Sequence, residues 1–385
     1  MLARDGWPTY VFAFHDGEEI GPILLSRIVV NCVTSIRSCL NFNEGGTLQL
    51  SSFVRRIEIL RRCRRIVSVW PNAAVLVLAA ISASPNAASS QSALPVVRAS
   101  TGWAYAVASH PTNPRGAVVL MPGFGGPFGD FSDFSSAHSA RPALADSLAS
   151  DGIALIMIAP PAGVLFGGRS HIRQLEETIV EALRAFSDRA LPLAIGGFSA
   201  GGTDAVLLAE RCGAGACTMP HTVKAVFEVD APLDWYRLWD NAVLVLANAP
   251  PRANVAEARL SRAAIEARIG RQPTRTSRAY LAASPLASRA RDGGNARALA
   301  GIAVRAYTEP DIDWWITNRS ADYYGMNSLD AAALVRHLLL LGNAQAQLIT
   351  TSGKGFRADG TRHPHSWSIV DQSDLARWIA LQIAK

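Results

Sequence analysis

Short apolar runs alternate with longer amphipathic stretches from about residue 100 to the end of the chain. The apolar runs predict buried strands, at residues 116–121, 152–158, 193–196, 223–229, 302–307 and 345–350. The stretches between them carry apolar residues at helical spacing and predict helices, at residues 137–150, 172–186, 201–211 and 371–383. Strands that alternate with helices form a mainly parallel sheet flanked by helices on both faces, so the pattern predicts an α/β fold.

The alternation stops between about residues 233 and 298, where Ala and Arg are frequent and helical spacing continues. Asn254, followed three residues later by Glu257, matches the capping box that begins many helices. We therefore expect a helical cap, inserted at about 233–298 and lying over the sheet.

The first 87 residues carry a pattern that is typical of export. Six Arg between residues 55 and 65 precede an apolar run at 73–83 and a stretch of small residues at 84–93. This order predicts a signal peptide at 54–87, with cleavage after Ala83 or Ala87. The apolar run is shorter than the roughly 20 residues that span a bilayer, so we expect no stable membrane anchor in the mature form.

A signal peptide begins where translation begins, and residues 1–53 precede this one without a clear periodic pattern. We therefore expect residues 1–53 to be a misassigned upstream extension, with the true start near Val54. A small extra domain or an unusually long leader is the alternative. The mature protein would then be residues 88–385, and we expect it to be secreted or periplasmic.

Composition and charge narrow the class of protein. Of 385 residues, 49% are hydrophobic and 18% are charged, which excludes a disordered or fibrous chain. The net charge is +6, and residues 1–87 hold half of that excess, with nine Arg against six acidic residues. The rest of the chain shows no basic stripe interleaved with aromatic residues, so we expect no nucleic acid as a partner.

Cysteine usage agrees with export. Three of the five cysteines fall in the part that we expect to be lost, and Cys212 and Cys217 remain. These two flank a flexible Gly-Ala-Gly-Ala segment, so in an oxidising compartment a disulfide is expected, with two unpaired thiols as the alternative. Neither cysteine has the partner spacing of a zinc site.

The sharpest motif is Gly197-Phe198-Ser199-Ala200-Gly201, a G-x-S-x-G sequence between a predicted strand and a predicted helix. The motif alone is a weak signal, but a serine on a sharp strand-to-helix turn needs small neighbours, which the glycines supply. The helix that follows points its N-terminal dipole at the same place and favours negative charge there. Ser199 is therefore the candidate nucleophile.

A serine hydroxyl is a poor nucleophile unless a base lies within hydrogen-bond reach. The base is expected late in the chain, and His363 and His365 lie between the last predicted strand and the last predicted helix. His365 is the preferred base because it is nearer to the helix that would fix its position. His363 is the alternative.

The base in turn needs an acid that orients it. We expect this acid after the strand at 302–307, where Asp311 lies at a distance suited to the tip of a loop. Glu309 and Asp313 are alternatives in the same loop. Asp230, at the end of the strand at 223–229, is a further alternative.

An oxyanion hole requires two backbone N–H groups that point at the developing negative charge. We expect one from Ala200, which follows the nucleophile, and one from Phe124, in the glycine-containing loop at 122–126. This loop is not a P-loop, because no Gly-Lys-Ser/Thr follows. Phe128 occupies the third glycine position of G-x-G-x-x-G, so nucleotide binding is disfavoured.

With these features, residues 100–385 resemble the α/β-hydrolase superfamily and its secreted esterases and lipases. The resemblance rests on PGFGG after a strand, GFSAG at the turn, and the order Ser, acid, His along the chain. It implies a nucleophile, a general base, an orienting acid and two oxyanion donors, which are Ser199, His365, Asp311, Phe124 and Ala200. Pro122, where many members have His, and the sequence HPHSWSIVD leave the subfamily open.

The resemblance also implies an activity. We expect hydrolysis of a carboxylic ester through an acyl-enzyme, with a small-molecule ester or amide as the substrate and with neither cofactor nor metal. A peptidase, amidase or acyltransferase that uses the same triad is one alternative. A non-catalytic ligand-binding protein that has kept the fold is the other.

Overall fold

The computed structural model describes residues 94–385, except for 126–128, 130, 135–141, 168–169, 249–251 and 358. The expected upstream extension at 1–53 and the expected signal peptide at 54–87 lie outside these residues. Within the described ranges, no helix is both long enough and apolar enough to cross a membrane.

The described residues form a sheet of eight strands, which are β1 (Val97–Arg98), β2 (Ala104–Ser109), β3 (Gly116–Met121), β4 (Ile153–Ala159), β5 (Pro192–Phe198), β6 (Thr222–Val229), β7 (Ala303–Thr308) and β8 (Ala346–Thr350). Their order across the sheet is β1-β2-β4-β3-β5-β6-β7-β8. The six strands from β4 to β8 in this order pair in parallel, whereas β1 and β2 pair antiparallel at one edge. The predicted α/β class and its six strands are confirmed.

The pattern did not predict β1 and β2. Three of the six residues of β2 are Ala, which has a low preference for strands, and β1 is only two residues long. Their pairing with β4 therefore depends on contacts across the sheet and not on a local signal.

Helices cover both faces of the sheet. In chain order the α-helices of the described residues are α1 (Leu144–Ser150), α2 (His171–Arg184), α3 (Ala200–Gly213), α4 (Trp235–Ala247), α5 (Arg252–Ile269), α6 (Arg278–Ala283), α7 (Ile312–Arg319), α8 (Ser328–Leu340) and α9 (Gln372–Ile383). α1 and α9 pack on one face, and α2, α3 and α8 pack on the other. The helix predicted at 137–150 is seen from Leu144 onward, and 135–141 lies outside the described residues.

Alternate residues of the buried strands enter two separate cores. Val118 and Leu120 of β3 pack in the core beneath α1 and α9, whereas Val119 packs beneath α2 and α3. Because successive side chains of a strand point to opposite faces, β3 is buried on both sides. Loops at the carboxyl ends of such strands start from a rigid platform, which is where open α/β sheets place their sites.

The predicted cap is present between β6 and β7. It consists of α4, α5, α6 and a 3₁₀ turn at Gly294–Leu299. Trp235, Ile265 and Tyr280 form a small core within it, and Phe166 from the loop after β4 packs against Trp235 with ring centroids 5.0 Å apart. The cap is therefore fastened to the loop that leaves β4 as well as to its own two connections.

Cys212 and Cys217 are joined by a disulfide at the C-terminal end of α3, as expected. The chain turns back after the helix through Gly215, which has a φ of 71°. This left-handed conformation is accessible to glycine at little cost, so the residue lets the two cysteines approach.

Candidate active site

Ser199 lies on a sharp turn between the end of β5 and the start of α3. Its φ is 53°, a conformation that side chains other than glycine rarely adopt. Its N–H donates to the carbonyl of Val229 at 2.9 Å, which ties the turn to the neighbouring strand. A side chain at Gly201 would collide with the carbonyl oxygens of Met121 and Pro122, so the glycine lets α3 start this close to β3.

His365 meets Ser199 at this turn. Its Nε2 is 3.0 Å from the Ser199 Oγ, and its Nδ1 is 2.6 Å from Oδ2 of Asp230. An ionised carboxylate only accepts hydrogen bonds, so Nδ1–H donates to Asp230 and the unprotonated Nε2 accepts from the serine hydroxyl. The three side chains form a continuous chain of hydrogen bonds from acid to base to nucleophile.

Asp230 is buried and firmly held at the end of β6. Its backbone N–H donates to Tyr307, its carbonyl accepts from Asn327 at 2.8 Å, and its Oδ1 accepts from the hydroxyl of Thr308 at 3.1 Å. Its φ is 49°, so the backbone leaves the extended conformation of β6 at this residue, and the side chain reaches His365. The orienting carboxylate therefore comes from the strand next to β5.

The prediction that Asp311 orients the histidine is wrong. Asp311 caps α7 by accepting the N–H of Trp314 at 3.0 Å, and its other oxygen accepts from Arg362 Nη1 at 2.5 Å. The physical reason is the strand order: β6 lies beside β5, whereas Asp311 follows β7, one strand further from Ser199. The alternative Asp313 lies in the first turn of α7 and is exposed. Asp230, the alternative at the end of β6, is the acid that contacts His365.

Glu309 and Asp311 both bind Arg362 and so hold the loop that carries His365. Arg362 binds Glu309 through Nη2 at 2.9 Å, and its Nε donates to the carbonyl of Lys354. Glu309 is buried and also accepts from the Thr351 hydroxyl at 2.5 Å. Arg362 was not among the predicted site residues, although its position three residues before His365 was the available signal.

His363 does not reach Ser199. It packs edge-on against the rings of Trp314 and Trp315, with centroids 4.5 and 5.7 Å away, and its Nδ1 accepts the N–H of His365. Burial, and then the positive charge of Arg357, lower the pKa of His363 to about 3. The ring is therefore neutral at ordinary pH and supports the backbone of His365 as a fixed acceptor.

The electrostatics around His365 favour its protonated form. Burial lowers the pKa of its imidazole, but the hydrogen bond and the negative charge of Asp230 act against burial and prevail. Glu257 and Asp133 add to the effect, so the pKa of His365 lies above the ordinary 6.5. A base with a raised pKa accepts a proton readily, provided that the pH is high enough to leave it neutral.

The two predicted oxyanion donors lie beside Ser199. Phe124 and Ala200 both line the cavity that the serine lines, and Ala200 is the first residue of α3, whose N–H has no acceptor inside the helix. The loop after β3 is held by a hydrogen bond of 2.7 Å from the N–H of Gly123 to the carboxylate of Asp133. Donation by Phe124 and Ala200 to an oxyanion stays a prediction.

A cavity of about 640 Å³ lies between the sheet and the cap and has Ser199 and His365 in its wall. Its apolar side comes from the loop after β4 and from α4, with Leu165, Phe166, Leu238, Ala242 and Val245. The part of the lining that comes from α5, α7 and the loop after β8 includes the charged residues Glu257, Arg319 and Arg357. The cavity is large enough for a small-molecule substrate next to the nucleophile.

An eight-stranded, mainly parallel sheet, with a serine at the turn after β5, an aspartate after β6 and a histidine in the loop after β8, defines the α/β-hydrolase fold. The sequence matches no protein-family model and no curated protein.

Solved structures of similar fold are found at low sequence identity. Carboxyl esterase 2 from the fungus Tuber melanosporum is 15% identical, with a TM-score of 0.46 over 78% of this chain and 88% of that one. A monoglyceride lipase variant from Saccharomyces cerevisiae is 14% identical, with a TM-score of 0.43 over 75% and 94%. Est1E from Butyrivibrio proteoclasticus is 12% identical, with a TM-score of 0.42 over 76% and 100%.

Proposed function

We propose that this protein is a serine hydrolase that cleaves small carboxylic esters through an acyl-enzyme. The observation that carries the proposal is the chain of hydrogen bonds from Asp230 through His365 to Ser199, which opens into a cavity. A neutral imidazole that accepts the proton of a serine hydroxyl activates this serine for attack on a carbonyl. The triad is Ser199, His365 and Asp230.

Acylation begins when the Ser199 Oγ attacks the ester carbonyl and its proton passes to Nε2 of His365. Asp230 stabilises the imidazolium that forms and keeps Nδ1 protonated, so that Nε2 faces the serine. The negative charge on the carbonyl oxygen is met by the N–H groups of Phe124 and Ala200 and by the N-terminal dipole of α3. The imidazolium then gives its proton to the leaving alkoxide, and the alcohol departs.

Deacylation repeats these steps with water as the nucleophile. His365 takes a proton from water, the hydroxide attacks the acyl carbonyl, and the same N–H groups hold the second oxyanion. The proton returns to the Ser199 Oγ as the carboxylic acid leaves.

Labelling with a fluorophosphonate probe tests the proposal, because the probe reacts with an activated serine and releases fluoride. We expect the purified wild-type protein to be labelled and Ser199→Ala to remain unlabelled. Ser261→Ala is the matched control, since Ser261 lines the same cavity but makes no hydrogen bond with a histidine among the described residues, and we expect it to be labelled like the wild type. Absence of label on the folded wild type would favour a non-catalytic binding protein.

A matched pair of substrates distinguishes an ester hydrolase from an amidase, a peptidase or an acyltransferase. We expect 4-nitrophenyl butyrate to be cleaved and the corresponding 4-nitroanilide to be cleaved far more slowly. Faster turnover of the anilide would indicate an amidase or peptidase. Formation of a new ester when an alcohol is added would indicate an acyltransferase.

We also propose that the protein is exported. The basic, apolar and small-residue order at 54–93 and the disulfide between Cys212 and Cys217 support this proposal. Expression of the full chain, followed by fractionation and N-terminal sequencing, tests it. A mature form that begins near residue 84 or 88 outside the cytoplasm is expected, and an uncleaved cytoplasmic chain would contradict it.

A further inference from the structure

The cavity beside Ser199 has two sides of different chemistry. One side is apolar and belongs to the loop after β4 and to α4, as described above. The other side, which we call the charged corner, consists of Glu257, Arg319 and Arg357 and lies next to His363. A substrate in the cavity would therefore meet both apolar groups and charges.

Two members of the charged corner neutralise one another. Nη2 of Arg319 is 2.5 Å from Oε2 of Glu257, which joins the end of α7 to the cap helix α5. The carbonyl of Arg319 accepts a hydrogen bond from the amide of Asn254. Arg319 and Glu257 thus form a partly exposed ion pair in the wall of the cavity, with little net charge.

Arg357 differs because its guanidinium has no carboxylate within ion-pair distance among the described residues. It lies on the turn between the bridged residues Phe356 and Arg362, and its backbone N–H donates to Thr361 at 2.9 Å. Asp359 on the same turn directs one oxygen to the N–H and hydroxyl of Thr361. The backbone of Arg357 is therefore held while its charge remains exposed at the cavity.

The charge of Arg357 acts on the interior of the site. It is the strongest charge effect on His363, whose imidazole lies in the same cavity wall, with ring centroids 6.2 Å from His365. The one further acid in the lining, Asp322, uses an oxygen to accept the N–H groups of Tyr324 and Gly325. Arg357 thus brings a positive charge to the lining of the cavity that the substrate must occupy.

We infer that the substrate is an ester that also carries a carboxylate, and that Arg357 binds this carboxylate while the uncharged part lies against α4. A guanidinium presents paired N–H donors that match the two oxygens of a carboxylate, and such charge-assisted bonds are the stronger kind. The bound carboxylate stays ionised and takes no part in bond making, so Arg357 acts as a specificity-determining residue. This inference rests on the proposed hydrolase activity and adds the substrate class to it.

The test uses three ethyl esters of matched chain length, which are monoethyl adipate, ethyl hexanoate and ethyl 6-aminohexanoate. Their hydrolysis is followed by the acid released at constant, mildly alkaline pH, where the adipate carboxylate is ionised. We expect the wild type to prefer monoethyl adipate over ethyl hexanoate by about tenfold or more in kcat/KM, mainly through KM. The preference should shrink as the salt concentration rises.

Arg357→Gln should abolish this preference, so that kcat/KM for monoethyl adipate falls to about the value for ethyl hexanoate in the same variant, and an exposed substitution of this kind has little effect on folding. Arg357→Lys keeps the charge but loses the paired donors, so an intermediate preference is expected. Arg297→Gln is the matched control, because it removes the same charge from an exposed position outside the cavity lining, and we expect no change.

Equal rates for the three esters, a preference for the amino ester, or a preference that Arg357→Gln leaves intact would overturn the inference. Binding of monoethyl adipate and ethyl hexanoate to Ser199→Ala, measured by calorimetry, tests recognition without turnover. Selective binding of the adipate ester that depends on Arg357, without hydrolysis by the wild type, would contradict the proposed activity alone. Hydrolysis of all three esters without selectivity would contradict the inference alone.

Discussion

Two residues of the proposed triad share an unusual backbone conformation. Ser199 and Asp230 have φ values of 53° and 49°, each immediately after a parallel strand. Such conformations cost about 1–3 kcal/mol each and persist only where surrounding contacts enforce them. Here the N–H of Ser199 is bound to Val229, and that of Asp230 is bound to Tyr307. These hydrogen bonds to neighbouring strands thus hold both residues in position before a substrate arrives.

The acid of the proposed triad can be tested by substitution. Asp230→Asn removes the charge that stabilises the imidazolium and permits the wrong tautomer of His365, so kcat should fall by about three to four orders of magnitude. Asp311→Asn leaves the bond from Asp230 to His365 intact, and kcat should change by less than about tenfold. Steady-state kinetics on one ester, with circular dichroism to verify folding, would measure both. A larger loss from Asp311→Asn than from Asp230→Asn would contradict the assignment.

The raised pKa of His365 predicts the pH dependence of activity. Ser199 needs a neutral base, so kcat/KM should fall as the pH drops through the pKa of His365, and the midpoint should lie above 6.5. Glu257 contributes to this rise, so Glu257→Gln should move the midpoint to lower pH. Glu177→Gln, an exposed change on α2, is the control and should leave the midpoint in place. A midpoint below 6.5, or an equal shift in both variants, would contradict this account.

At the scale of elements, the ends of neighbouring strands cooperate to place the histidine. β6 supplies Asp230, which binds the imidazole, and β7 is followed by Glu309 and Asp311, which bind Arg362. His365 follows Arg362 by three residues, so the arginine fastens the loop where it approaches Ser199. The loop after β8 is thus held from two strands at once.

This arrangement predicts a loss of activity that does not come from unfolding. Arg362→Gln releases the loop, so kcat should fall by about 10- to 100-fold, as for other small displacements of a reacting group, with KM little changed. Arg362→Lys should recover part of the loss, because it keeps one of the contacts. Kinetics and thermal unfolding of the same preparations would separate the two effects.

Arg305→Gln is the matched control for the loop. Arg305 on β7 pairs with Asp374 of α9 at 2.7 Å, on a contact that does not involve the histidine loop. We expect this variant to lose some stability and to keep its kcat. If both variants lowered kcat and stability in parallel, Arg362 would have a merely structural role.

The elements show what could be predicted from the sequence and what could not. The six parallel strands and the turn at Ser199 follow from local signals, namely apolar runs and glycines at fixed spacing. The choice of Asp230 over Asp311 depends on which strand lies next to β5, and neither acidic segment carries that information in its own residues. The contact of Arg362 with the end of β7 is likewise a property of the folded chain.

At the scale of the whole molecule, a buried ion pair fastens the cap to the sheet. Arg237 of α4 binds Asp330 of α8 through two hydrogen bonds of 2.6 and 2.8 Å, and both side chains are almost fully buried. Asp330 also accepts the N–H groups of Leu233 and Asp234 at the point where the cap begins. The position of α4, and with it one wall of the cavity, therefore depends on this pair.

Arg237→Leu should lower the free energy of unfolding by about 3–5 kcal/mol, because it leaves the Asp330 carboxylate buried without a cation. Arg297→Leu breaks an exposed pair with Asp292 and should cost about 0–1 kcal/mol, which makes it the control. The double variant Arg237→Leu/Asp330→Leu should regain part of the loss, since no unpaired charge remains. Urea unfolding measures all three, and a cost below about 1 kcal/mol for Arg237→Leu would show that the cap is held by its apolar core instead.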